Sequence, residues 1–108
     1  MSYLKDIEQY GQDVSDFEVS PFETINMLHL RSRLNKESHH LTVKERILLM
    51  KYDLELLENV DLMVEHIKTV YDFSKSTEPQ EEWWWHLDKV ASGELEVEIG
   101  PSTKNKAL

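Results

Sequence analysis

The sequence predicts an all-α fold: a small antiparallel helical bundle built on one long central helix over about residues 42–73. Three observations predict it. The stretch from Thr42 to Phe73 contains no Gly and no Pro, and its apolar residues recur at helical spacing. Capping boxes mark two helix starts, at Ser20–Glu23 and Thr42–Glu45. The connections are short, and short connections make sequential helices antiparallel neighbours.

In chain order, residues 2–10 form a short helix, capped by Ser2 and stopped by Gly11. Leu4 and Ile7 share a face, with Tyr3 and Tyr10 on an adjoining one. So short a helix is marginal alone and must dock. Residues 12–19 are a linker with Val14, Phe17 and Val19 as apolar anchors. The second helix covers about 21–37. Pro21 takes its first position, where the missing N–H costs nothing. Phe22, Ile25, Leu28 and His29 share a face, widened by Met27, Leu30 and Leu34. The connection NKESHH folds this helix back along the first half of the long one, which it covers for about 25 Å.

The long helix carries Leu49, Leu56, Met63 and Val70 seven apart, and Met50, Leu57, Val64 and Tyr71 beside them, with Val60 and Ile67 between. Lys44, Lys51, Glu55, Glu58, Glu65 and Lys68 form the opposite face. About thirty residues at ~1.5 Å rise give roughly 45–50 Å. A compact chain of this size is about 35 Å across. The helix must therefore kink near Asn59 or pack its excess length on a second copy, and the reading favours a homodimer.

A further helix over about 78–92 covers the far half, Val60–Phe73. Thr77 caps it, Gln80 stands at the capping-box position, and Gly93 ends it. Residues 95–99 alternate Leu95, Val97 and Ile99 with glutamates, which is strand periodicity. They pair with a symmetry mate or lie extended on the bundle. Residues 1–100 form a single domain, with 101–108 as a disordered tail.

Chemistry-bearing residues are few. Trp83, Trp84 and Trp85 span about 200° of a helix, so all three cannot face one core. Trp83 and Trp84 belong to the core. Trp85 falls on the polar side, stacking on Lys89 or anchoring an interface. The interface residues are Val60, Met63, Val64, Ile67, Val70, Tyr71, Trp84 and Trp85. The histidines (29, 39, 40, 66 and 86) lack the His pairing of a helical zinc site and the Glu-x-x-His of a di-iron bundle, so neither metal nor cofactor is expected. Glu55, Glu58, Asp61 and Glu65 read as a solvated face. There is no cysteine, no phosphate loop and no nucleophile with an obvious base, hence no catalytic residue.

Net charge is −9, unevenly spread. Arg31, Arg33, Lys36, Lys44, Arg46 and Lys51 make a basic block between two acidic stretches. The bland reading is complementarity within or between subunits. The sharper one is that this block meets nucleic acid or an acidic partner. Nucleic acid is disfavoured, because the acidic surroundings repel phosphate. No window resembles a signal peptide or a membrane span, so the expectation is a cytoplasmic protein with no membrane contact. The function expected is a non-enzymatic interaction or regulatory module, self-associating. The alternative is a nucleic-acid-related regulator, in which the block 31–51 contacts phosphate or the acidic surface binds a protein of basic character, as an antitoxin or nucleic-acid mimic would.

Overall fold

The structure, a computed structural model, describes residues 2–99. The predicted class holds: five α-helices and three short 3-10 turns form a bundle, and no strand occurs among the described residues. The helices are α1 (Leu4–Asp13), α2 (Pro21–Lys36), α3 (Val43–Glu58), α4 (Val60–Ile67) and α5 (Leu87–Ser92). The capping boxes of α2 and α3 form as the sequence predicts, with both reciprocal bonds in place. The carboxylate of Glu45 also accepts from the Tyr3 N–H at 3.0 Å and the Ser2 hydroxyl at 3.1 Å. It thereby ties the start of α1 to the start of α3.

The long helix is not continuous. It breaks at Asn59, whose backbone (φ −100°, ψ 14°) leaves helical geometry. The Asn59 side-chain amide donates to the Val14 carbonyl at 3.4 Å, an otherwise open acceptor at the end of α1. The chain extends 36 × 35 × 23 Å, so no length is left over for a second copy to cover. The break removes the length argument for a homodimer. Beyond Ile67 the helix does not run on to Phe73. Asp72 instead accepts from the Ser74 N–H and starts the 3-10 turn Phe73–Lys75.

The order of packing also differs from expectation. The N-terminal helix, not α2, lies along α3, running parallel to it. Tyr3 meets Glu45, Tyr10 meets Asp53 and Val14 meets Asn59. Gly11 allows this approach instead of ending the helix: a Cβ there would overlap the Tyr52 ring. α2 packs on α1, α4 and the tryptophan turn instead of lying side by side with α3. Its buried face is set by Thr24, Met27, Leu28, Leu30, Arg31 and Leu34. Phe22 falls outside that face and is exposed.

The expected helix over 78–92 is helical only from Leu87. Residues before it form turns, and Trp83–Trp85 make a 3-10 turn inserted into the core. A surface helix buries one face. An inserted turn is enclosed from several sides, and so all three tryptophans are buried. Trp85 does not stack on Lys89 but meets His29 and Tyr71, at ring separations of 4.9 and 5.4 Å. The Ser32 hydroxyl accepts from the indole N–H groups of Trp84 (2.9 Å) and Trp85 (2.7 Å) and donates to Glu82 at 2.6 Å. Segment 95–99 takes the second of its two expected forms, lying along the bundle with Leu95, Val97 and Ile99 half-buried against the core. The predicted tail 101–108 lies outside the described residues.

Ser32→Ala leaves two buried indole donors without an acceptor. It should cost about 2–4 kcal/mol, read by urea unfolding with tryptophan fluorescence, and Ser32→Thr should restore most of the loss. A cost near zero for Ser32→Ala would mean that packing alone holds the turn.

Candidate functional site

The candidate site is the space between α2 and α3 and the face of α3 beyond it. Its floor is a buried polar cluster. Arg31 on α2 reaches Asp53 on α3 through two bonds of 2.9 Å, Nε to Oδ1 and Nη2 to Oδ2, a bidentate pair. The Tyr10 hydroxyl on α1 donates to the same Oδ1 at 2.6 Å. The guanidinium carbon lies 4.3 Å from the Trp84 ring centroid. Nη1 has no hydrogen-bond partner among the described residues, which this cation–π contact offsets in part. Burial, and then the negative charge of Asp53, push the Tyr10 hydroxyl well above its ordinary range. Burial opposes the charge on Arg31, but the bonds and charge of Asp53 outweigh it and the net direction is upward.

Because Arg31 spans the gap with a long side chain, a cleft of about 520 Å³ remains. Leu41, Val43, Ile47, Leu49, Met50, Trp83 and Ile99 line it, with Arg46 and Glu98 beside them. The cleft opens onto an apolar stripe of α3. Val43, Ile47 and Leu54 are 73%, 57% and 50% exposed, and Met50 between them is half-buried. At about 100° per residue these four lie within roughly 60° of arc. Lys44 and Lys51 flank the stripe on one side and Arg46 on the other. α3 is thus apolar on two faces: Leu49 and Leu56 point into the core, and Val43, Ile47 and Leu54 point out. A signal for the second face stood in the sequence. Ile47 and Leu54 are seven apart, and each precedes a core leucine by two residues, or about 200°.

The interface residues expected from sequence do meet, but inside one chain. Met63, Ile67, Trp84 and Trp85 are buried, and Val60, Val64 and Tyr71 are half-buried against the same core. Val70 is half-buried too. Within the chain they contribute to the packing around α4, α5 and the tryptophan turn. Glu58, Asp61 and Glu65 are exposed and Glu55 half-buried, as the reading of a solvated face has it.

Apart from His39 and His40, whose rings lie 4.0 Å from each other, the histidines do not meet. His29, His39 and His40 are exposed. His66 sits edge-on to Phe17 at 5.8 Å. His86 is buried and donates from Nε2 to the Glu78 carbonyl at 2.7 Å. No three metal-ligating side chains cluster among the described residues. Nor is any helix there long and apolar enough to cross a membrane. A second cleft, between α1 and α2, has a mixed lining, with Gln9, Asp13, Asn26, His29 and Arg33 beside Val19 and Leu30. Burial raises the Asp13 carboxyl there.

No protein-family model, curated protein or solved structure matches this chain. The geometry of the cleft therefore carries the functional argument by itself.

Tyr10 predicts a basic limb in stability. Its folded value lies above the unfolded value of about 10. The unfolded state therefore loses this proton first, and the contribution is whole below pH ~10 and lost as pH rises from there toward the folded value. Tyr10→Phe should be less stable by about 1–3 kcal/mol at pH 8. The gap to the wild type should narrow above pH ~10, measured by urea unfolding across that range. A gap that stays constant to high pH would contradict the buried hydroxyl.

Proposed function

We propose that this chain is a non-enzymatic interaction module that holds a segment of another protein along the outer face of α3. The observation that carries this reading is the contiguous apolar stripe Val43–Ile47–Met50–Leu54, which opens onto a cleft of about 520 Å³. Single exposed apolar residues are ordinary; a row of them on one helix face beside a cleft marks a docking surface. Burying a fully exposed side chain of this size contributes ~1.5–3 kcal/mol, and covering Val43, Ile47 and Leu54, 50–73% exposed, draws on a proportionate part of that. A helix-in-groove or helix-on-helix contact uses this spacing. The polar groups at the floor support binding rather than catalysis, because Asp53 already accepts from both Arg31 and Tyr10.

Site-specific photocrosslinking in the native host tests this. A photoreactive residue at position 47 or 54 should give one discrete crosslinked species. The same residue at Phe22, more exposed but isolated on α2, should not. Ile47→Glu should remove the product formed from position 54 while changing stability by no more than about 0.5 kcal/mol. Equal crosslinking from 22 and 47, or none from 47 and 54, would contradict the proposal.

A further inference from the structure

We infer that the segment held on α3 is acidic as well as apolar: an amphipathic helix whose apolar stripe is flanked by carboxylates. This rests on the docking reading above and adds the chemistry of the partner. Two independent observations carry it. The first is the rim. Lys44, Lys51 and Arg46 are exposed on both sides of the stripe, and none of them forms an ion pair among the described residues. Arg46 donates only to its own Leu41 carbonyl, at 3.3 Å. Elsewhere the protein is acidic, with a net charge of −9, so these cations stand out against their surroundings.

The second is that the cleft already holds chain of this kind. Glu94–Ile99 alternates glutamate with Leu95, Val97 and Ile99, and its end, Glu98 and Ile99, lines the cleft. The apolar members are half-buried and the glutamates exposed. The end of this segment shares the cleft with Val43, Ile47 and Met50, and the stripe, about 16 Å or three helical turns long, reaches past the cleft at Leu54. Phosphate is a poorer fit, because the cations are separated by an apolar row where a nucleic acid would need a continuous basic track.

The test uses the full-length chain and two synthetic helical peptides of roughly 18 residues. They share one leucine stripe and differ only in its flanks, glutamate in one and lysine in the other. Binding is read by peptide fluorescence anisotropy and by the emission of a Trp84→Phe/Trp85→Phe variant, in which Trp83, lining the cleft, is the one tryptophan left. The glutamate peptide should bind about tenfold tighter at low ionic strength. That preference should vanish near 1 M salt, where charges are screened within about 3 Å. Lys44→Glu/Lys51→Glu should reverse it, and Ile47→Glu should abolish binding of both peptides. Equal affinity for both peptides, lost together with Ile47→Glu, would keep the docking surface and overturn its acidic preference. Binding of neither peptide would overturn the docking reading itself. Two further results would also overturn the inference. One is a particle mass that rises with concentration and falls back with Ile47→Glu, which would give the face to a second copy. The other is a DNA duplex that binds with a steeper salt dependence than the glutamate peptide.

Discussion

The fold depends on one buried cluster, Arg31–Asp53 with the Tyr10 hydroxyl. Removing two charges from water costs several kcal/mol per ion, recovered only with full hydrogen bonding. Here the carboxylate accepts three bonds from two helices, and the guanidinium lies against the Trp84 ring. The cluster joins α1, α2 and α3 at a single point. It also sets their spacing. An Arg–Asp bridge is longer than a contact between two leucines, so α2 and α3 stand apart and the cleft remains between them. The floor of the candidate site and the anchor of the fold are the same residues.

Around that anchor the chain solves a covering problem. The break at Asn59 turns a helix too long for the globule into two that fit, and the side chain that marks the break also satisfies the end of α1. Three consecutive tryptophans close the core between α2 and α5. They are buried together because they sit on a turn pushed into the bundle, with Ser32 accepting from two of their indoles. This uses nearly all the large apolar side chains of the second half. Leu4, Phe22 and Leu62 are exposed singly, and the row that stays uncovered is the outer face of α3, in the basic part of an otherwise acidic chain.

The legible parts of the sequence were those governed by local rules. Capping boxes at Ser20 and Thr42 placed the starts of α2 and α3, and periodicity put Leu49, Leu56, Met63 and Ile67 on one apolar stripe, though Met63 and Ile67 were expected at an interface and lie in the core. The break was harder to see, because the apolar pattern runs through Asn59 without a change of phase; a tertiary bond to Val14 decides it. Gly11 looked like a stop and is a point of close approach, which depends on where Tyr52 lies. The tryptophans were misplaced because a helical wheel assumes a helix. The outer stripe was present as Ile47 and Leu54 but stood beside a stronger heptad. A helix with two apolar faces yields no clean amphipathic signal. The charge pattern was legible as a basic block, and its pairing with an apolar face needed the fold.

The most direct test of the anchor is a double-mutant cycle on Arg31 and Asp53, read by urea unfolding. Arg31→Met and Asp53→Leu should each cost about 3–5 kcal/mol, because each strands a buried charge. The double substitution should cost far less than their sum, with a coupling of at least about 2 kcal/mol. Additive losses would contradict the account, since the two residues would then not act as the single buried pair on which the spacing of α2 and α3 depends.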